Sequence, residues 1–248
     1  MKKIRTVRRL SWSQMSAYEN CPLAWYKHYI LKLWPDEKAQ PLSFGIAYHS
    51  GAEVFLDEYY NQDIPQEVAI NNACSRFDFE YSFGKEKGPN TKKWLPIGNT
   101  MLRATAALLL TKDFKLLSLE RFVSRKGFLG KVDCQALVDG KRMIIDWKTA
   151  TYPFTQERVD TDGQLTGYGY LLQGNWDALA FVVAIKETSE VHWYETTRTQ
   201  RQIDEFVKRI ENAREKMEFG EKFIGAHSPN ACKWCDLKPY NCRGVGDF

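Results

Sequence analysis

The sequence of 248 residues lacks an uninterrupted apolar run that approaches the roughly 20 residues of a membrane-spanning helix. Its first residues lack the charged segment followed by an apolar segment that is typical of a secretory signal. Six cysteines in a chain of this length are too few for a disulfide scaffold. We therefore expect a soluble protein of the cytoplasm.

The sequence also lacks the phosphate-binding pattern G-x-x-x-x-G-K-[ST], so an ATP-driven motor within this chain is excluded. It contains no internal repeat, no low-complexity linker and no second domain boundary. The length is sufficient for one α/β domain with a substantial core. The net charge of +4 permits a polyanionic partner without demonstrating one.

Hydrophobic periodicity predicts a helical part at about 11–112, a sheet core at about 115–197, and a C-terminal helix with a cysteine-containing tail at about 198–248. These parts form a single domain over 1–248. The predicted helices are 11–33, 43–61, 66–82, 96–112, 161–173 and 198–219. The predicted strands are 115–125, 127–138, 141–149, 178–186 and 190–197.

A hairpin is the most informative part of the pattern. Asp139-Gly140 is a strong two-residue turn signal between the second and third predicted strands. With that loop, Val138 pairs with Lys141. The same register places Asp133 directly opposite Asp146.

The two faces of this hairpin differ in character because strand side chains alternate. One face is apolar and suits a core, with Val132, Cys134, Ala136, Met143, Ile145 and Trp147. The other carries Lys131, Asp133, Asp146 and Lys148. Two opposed carboxylates repel one another, and a divalent magnesium or manganese ion would relieve that repulsion. A solvated face with charges of both signs is the alternative interpretation.

Several further segments accompany the hairpin. Gly130-x-x-Asp133 is followed by Ile145-Asp146-Trp147-Lys148-Thr149, which begins twelve positions after Asp133. The others, in chain order, are Leu10-Ser11-Trp12-Ser13 with Tyr18-x-x-Cys21-Pro22, Phe44-Gly45-x-x-x-His49, Gln164-x-x-x-Tyr168, and Cys232-x-x-Cys235 with Cys242. Together they resemble the motifs of PD-(D/E)xK nucleases of the RecB type, in the iron–sulfur branch that includes AddB-type and Cas-four-type nucleases.

The resemblance implies a restriction-endonuclease-like fold, with a mixed central sheet flanked by helices. It also implies a metal-dependent DNA nuclease that uses Mg²⁺ or Mn²⁺. The implied metal ligands are His49, Asp133, Asp146 and the carbonyl of Trp147. The implied catalytic residues are Asp133, Asp146 and Lys148, with Glu120 as a secondary candidate. Gln164 and Tyr168 are expected to contact the DNA strand or to orient the catalytic lysine.

The cysteines leave two interpretations open. Cys232 and Cys235 are spaced so that both thiolates can bind the same metal ion or iron–sulfur cluster. Cys242 supplies a third thiolate. The resemblance implies that Cys21 is the fourth ligand of a [4Fe-4S] cluster. A structural zinc ion could instead use three thiolates with His227 or His28. Cys74 and Cys134 lie in apolar contexts and are expected in the core.

The favoured function is a DNA exonuclease with a preference for single strands or frayed ends, in recombination, repair, phage DNA processing or CRISPR adaptation. The cell would be bacterial, archaeal or phage-infected. A helicase or a CRISPR integrase could act as a separate partner protein. Two alternatives are a catalytically inactive DNA-binding or assembly subunit and a zinc-binding interaction module.

Overall fold

The computed structural model describes residues 7, 9–33, 40–84, 90–219, 223–226, 231–232 and 235. The predicted helices and strands occur in the predicted order, with two additional short elements, a strand at Leu10–Ser11 and a helix at Gln156–Asp160. The helices are α1 (Trp12–Asn20), α2 (Pro22–Trp25), a π-helical turn (Tyr26–Ile30), α3 (Gln40–Tyr60), α4 (Gln66–Ser82), α5 (Thr91–Leu110), α6 (Gln156–Asp160), α7 (Gly163–Leu172) and α8 (Gln200–Phe219). The strands are β1 (Leu10–Ser11), β2 (Phe114–Arg125), β3 (Phe128–Val138), β4 (Lys141–Ala150), β5 (Ala178–Ile185) and β6 (Val191–Thr196).

The chain divides into two compact units. The smaller unit comprises Met1–Glu37, Ser124–Gly130 and Thr199–Phe248, and the larger comprises Lys38–Val123 and Lys131–Arg198. Every element of the predicted sheet core has most of its residues in the larger unit. The assignment of 1–248 to one nuclease domain remains a prediction.

A mixed sheet forms the centre of the larger unit. β3 and β4 are antiparallel, β4 and β5 are parallel, and β5 and β6 are antiparallel, while β2 pairs with β3. Asp139 and Gly140 both have positive φ, as a type I′ hairpin turn requires. The register pairs Val138 with Lys141 and Cys134 with Ile145, so the predicted register of the hairpin is confirmed.

The core of the larger unit lies between this sheet and helices α3, α4 and α5. The apolar face of the hairpin is buried there, as predicted, together with Cys74 of α4 and Cys134 of β3. The aromatic rings of Phe44, Phe77 and Tyr81 pack against one another within this core. All eight residues of β5 are buried, as expected for a central strand covered on both faces. The expected sheet flanked by helices is confirmed.

The smaller unit contains β1, which pairs in parallel with Phe128 and Leu129 at the start of β3. The rings of Trp25 and Tyr26 pack on Phe223 and contribute to its apolar interior. Among the helices formed by described residues, none has the length and apolar character needed to span a bilayer.

The predicted helix 11–33 is interrupted, which the periodicity did not indicate. Ser11 caps α1 by accepting a hydrogen bond from the Gln14 N–H at 3.3 Å, but the helix ends at Asn20. Cys21 is extended, with φ −158° and ψ 104°, and α2 begins at Pro22. Proline disfavours a helical conformation in the residue before it, which accounts for the break. The thiol of Cys21 therefore lies at a corner between two helices.

The largest other differences from the prediction concern α5 and α6. α5 begins at Thr91 and tolerates Pro96 in its second turn, where one intrahelical hydrogen bond is lost. The short helix α6 was not predicted. Thr155 caps it by accepting a hydrogen bond from the Arg158 N–H at 3.2 Å.

Candidate active site

Asp133 and Asp146 lie on neighbouring strands in the larger unit. Continuing the register from Cys134 and Ile145 brings the two aspartates to adjacent positions. Asp146 is fully buried and Asp133 is 8% exposed. Two carboxylates removed from water at neighbouring positions require compensating donors or cations.

Asp146 receives these contacts from three side chains. The Gln164 amide Nε2 donates to Oδ1 at 2.7 Å, and the Tyr168 hydroxyl lies 3.0 Å from the same oxygen. The Lys148 ammonium pairs with Oδ2. Burial, followed by the negative charge of Asp133, nevertheless raises the pKa of Asp146 to about 6. The contacts therefore compensate only part of the unfavourable free energy of a buried carboxylate.

Asp133 responds in the opposite direction. Burial would raise its pKa, but the hydrogen bond and charge of His49, the charge of Lys148 and the backbone N–H of Trp147 lower it below the ordinary value. The Trp147 N–H donates to Oδ2 at 3.1 Å. The pair thus contains one carboxylate that ionises easily and one that holds its proton more strongly.

His49 comes from α3, one turn beyond Gly45. Its Nδ1 lies 3.2 Å from Oδ2 of Asp133. Burial would lower the pKa of His49, but the hydrogen bond to Asp133 and the charges of Asp133 and Asp146 raise it. The negative potential of the two aspartates therefore favours a positive charge at this position.

Lys148 follows Asp146 by two residues on β4 and points to the same face. Its Nζ donates to Oε1 of Gln164 at 2.9 Å in addition to its pair with Asp146. Burial would lower the pKa of Lys148, but the charges of Asp146 and Asp133 raise it. The lysine is held charged and in a fixed direction beside both carboxylates.

Helix α7 delivers Gln164 and Tyr168. Its first turn is capped by Asp162, whose Oδ1 accepts from the N–H groups of Gln164 and Leu165 at 2.8 and 3.0 Å. The Tyr168 hydroxyl accepts from Gln164 Nε2 at 2.8 Å and lies 2.8 Å from the carbonyl of Lys131. Gln164 therefore contacts Asp146, Lys148 and Tyr168 at once.

Glu120 lies at an irregular point of β2, where its φ is +50°. A non-glycine residue in this region of φ marks a local distortion of the strand, which redirects the side chains around it. The Glu120 carboxylate pairs with Lys131 of β3. Both residues line a cavity of about 480 Å³ whose wall also includes His49 and Asp133.

Among the described residues, no group of three or more histidine, cysteine, aspartate or glutamate side chains is arranged to hold a metal ion. The Asp146 oxygens face Lys148, Gln164 and Tyr168, while His49 Nδ1 is directed at Asp133. The donor chemistry fits a hard divalent cation, since carboxylate oxygens are preferred by Mg²⁺ and Mn²⁺. The raised pKa of Asp146, caused by burial and then by Asp133, reflects a deficit of positive charge that such a cation would supply.

The structure brings six predicted site residues together: His49, Asp133, Asp146, Lys148, Gln164 and Tyr168. Glu120 lies across the cavity with Lys131. Trp147 contributes its backbone N–H to Asp133, while its side chain is buried in the core.

The predicted cysteine ligands belong to the smaller unit. The Cys235 N–H donates to the Cys232 carbonyl at 3.3 Å. The Ala226 N–H donates to Cys21 Sγ at 3.5 Å. Cys242 and the alternative zinc ligand His227 lie outside the described residues, and His28 lies in the π-helical turn.

Sequence reasoning missed Arg198 as a residue that supports the site. Its buried guanidinium donates to the carbonyls of Val159 and Asp162 at 2.8 and 3.1 Å and to the Thr166 hydroxyl at 2.7 Å. These contacts hold the turn that precedes α7. They join residues more than 30 positions apart, so no local pattern indicated them.

The chain is similar to known proteins in sequence and in fold. The model of the PD-(D/E)XK nuclease superfamily matches residues 9–243. A protein from Eubacterium rectale described as an exonuclease has a similar structure, with TM-score 0.50, 14% identity, and coverage of 95% of this chain and 88% of that chain. A phage-related exonuclease from Haemophilus somnus 129PT matches with TM-score 0.37 and 16% identity over 68% of this chain and 92% of that one. Among curated proteins, none matches.

The family match spans nearly the whole chain, including every residue of the buried polar cluster, and the chain therefore belongs to the PD-(D/E)XK nuclease superfamily.

Proposed function

We propose that this nuclease is a metal-dependent exonuclease that hydrolyses phosphodiester bonds of DNA, with a preference for single strands or frayed ends. The observation that carries the proposal is the arrangement around Asp146. This fully buried carboxylate contacts a charged lysine and an amide, and its neighbour Asp133 contacts a histidine. Burial of several charged groups together lowers the stability of the folded protein. Such clusters of buried ionisable groups are typical of catalytic sites.

His49, Asp133, Asp146 and the carbonyl of Trp147 would hold Mg²⁺ or Mn²⁺, the ions that PD-(D/E)XK nucleases generally use. When bound, such an ion makes a coordinated water more acidic and stabilises charge on the scissile phosphate. Lys148 would position the attacking water or neutralise negative charge that develops on the phosphate. Gln164 would keep Lys148 and Asp146 aligned, and Tyr168 would fix Gln164.

The preference for single strands is proposed because this sequence contains no ATP-driven motor pattern, so the chain has no means of its own to unwind a duplex. A separate helicase could supply single strands, or an integrase could receive the processed ends. Recombination, repair, phage DNA processing and CRISPR adaptation are all compatible settings.

Degradation of end-labelled DNA tests the proposal. Wild-type protein with Mg²⁺ or Mn²⁺ should shorten single strands faster than blunt duplex, and EDTA should stop the reaction. Asp146→Ala should abolish cleavage, whereas the control Asp204→Ala, on the exposed face of α8, should cleave at the wild-type rate. Wild-type protein that binds DNA but never cleaves it would instead indicate an inactive binding or assembly subunit.

We further propose that Cys21, Cys232, Cys235 and Cys242 hold a [4Fe-4S] cluster in the smaller unit. Two observations support this. The break before Pro22 places the Cys21 thiol at a helix corner, and the contact from Ala226 brings the segment before Cys232 next to that thiol. The cluster would be structural, because it would link segments more than 200 residues apart in sequence.

Optical absorbance tests the cluster. Protein purified without oxygen should be brown, with broad visible absorbance from thiolate-to-iron charge transfer. Cys21→Ala should bleach it, whereas the control Cys74→Ala, in the core of the larger unit, should not. Colourless protein that contains one equivalent of zinc would replace the cluster with a zinc site.

A further inference from the structure

An exposed aromatic side chain lies beside the active-site cavity. Phe122, on β2, is 76% exposed, although a phenylalanine in a strand is usually packed against its neighbours. Its ring lies 5.8 Å from Nζ of Lys131, within the range of a cation–π contact. It follows the distorted position Glu120 by two residues. Phe122 thus adjoins the cavity without being part of the core.

Lys131 links this ring to the reacting groups. It lines the same cavity as His49 and Asp133, and it is two residues from Asp133 on β3. Its side chain is 47% exposed and pairs with Glu120. Its partner Glu120 is 18% exposed, so the ammonium group is the more accessible member of the pair, and an incoming anion can reach it and compete with Glu120.

Helix α3 lines the cavity with apolar residues towards its N-terminal end and with Ser50 and Glu53 further along the helix. The apolar residues are Pro41, Leu42 and Ile46, and Leu42 is 53% exposed. One opening therefore combines apolar side chains, a cation and an exposed aromatic ring, next to the carboxylates that define the candidate site. A nucleotide offers the matching groups, because it has a negatively charged phosphate, a sugar with apolar carbon atoms and a flat base.

We propose that Phe122 and Lys131 form a binding subsite for the nucleotide adjoining the scissile phosphate, in which the Phe122 ring stacks on the base and the Lys131 ammonium contacts the phosphate. The subsite rests on the proposed DNA nuclease function. It adds a physical reason for preferring single strands, because a base can stack on a protein ring only after it has left its own duplex.

The two residues make separable contributions. Stacking requires a base but tolerates any sequence, since every base presents a flat face. The phosphate contact requires no base and weakens with salt, because it releases counterions. The carbonyl of Lys131 accepts the Tyr168 hydroxyl, so a change of the lysine side chain leaves that contact in place.

The experiment measures fluorescence anisotropy of a labelled oligothymidylate and of an abasic oligomer of the same length, with Ca²⁺ in place of Mg²⁺. Phe122→Ala should weaken binding of oligothymidylate at least about fivefold and leave binding of the abasic oligomer unchanged. Phe122→Trp should retain the wild-type preference. Lys131→Met should weaken binding of both oligomers and reduce the salt slope by about 0.7. The matched control is Phe83→Ala, since Phe83 is 80% exposed and follows helix α4, whereas Phe122 contacts the cavity residue Lys131.

The outcomes separate this subsite from the nuclease function. Wild-type protein that degrades DNA, together with a Phe122→Ala variant that retains the wild-type ratio of affinities, overturns the subsite alone. Equal losses in Phe122→Ala and Phe83→Ala overturn it as well, because the effect would not belong to this position. Wild-type protein that neither binds nor cleaves DNA overturns both proposals. Thermal melting checks that all variants are folded.

Discussion

The fully buried Asp146 leads to a specific prediction about stability in the absence of metal. Burial and then Asp133 raise its pKa from 3.8 to about 6. In the unfolded chain the same carboxyl ionises near its ordinary value. Between these two pKa values the unfolded state therefore releases its proton while the folded state retains it, and the folded protein loses stability as the pH rises.

The magnitude follows from the pKa shift. A rise of about 2 in the pKa of Asp146 corresponds to a loss of about 3 kcal/mol in the stability of the folded protein. This loss is absent below about pH 4 and complete above about pH 6. Asp146→Asn removes the ionisation but keeps the size of the side chain. The stability of the variant minus that of the wild type should therefore increase by about 3 kcal/mol between pH 4 and pH 7. For a chain of this size the corresponding change in melting temperature is about 6–12 °C.

Circular dichroism melting of both proteins in EDTA, in steps from pH 4 to pH 8, measures this difference. Contacts that do not depend on ionisation contribute a constant offset, and the pair with Lys148 is already included in the pKa of Asp146, so the change across the pH range is the relevant quantity. Mg²⁺ should stabilise the wild type at pH 8 and not the variant. A difference in melting temperature that is constant across the pH range would refute the reasoning.

Two other predictions concern the residues around the carboxylates. Gln164→Ala should lower the cleavage rate about 10- to 100-fold, because it removes the contacts that align Asp146 and Lys148, and single-turnover kinetics measure the loss. Arg198→Lys should destabilise the protein by about 2–4 kcal/mol in urea denaturation, since lysine cannot reproduce five hydrogen bonds from one planar group. The exposed control Arg201→Lys should change the stability by less than about 0.5 kcal/mol.

The hairpin was predictable from sequence because its determinants are local. Asp139-Gly140 fixes the turn, and the alternation of side chains fixes the face of every strand residue. The register that brings Asp133 beside Asp146 followed from counting alone. Helix α4 was likewise predicted with both of its bounds, Gln66 and Ser82.

The remaining features depend on contacts between distant parts of the chain. Arg198 resembles the start of a charged helix in sequence, and only the folded chain brings it to the carbonyls of Val159 and Asp162. Phe122 has the pattern of an ordinary strand residue, and its exposure depends on what the rest of the fold leaves uncovered. The break at Cys21 is an exception, because Pro22 was a local signal that the periodicity of the helix concealed.

Lys148 provides the most direct test of the central claim, that this buried cluster hydrolyses phosphodiester bonds. Single-turnover cleavage of a labelled single strand, with saturating Mg²⁺, should be about 100-fold or more slower in Lys148→Met than in the wild type. Binding of the same strand with Ca²⁺ should differ by less than about threefold, and the exposed control Lys208→Met should cleave at the wild-type rate. Equal rates for Lys148→Met and the wild type, or a wild type without metal-dependent cleavage, would contradict the claim.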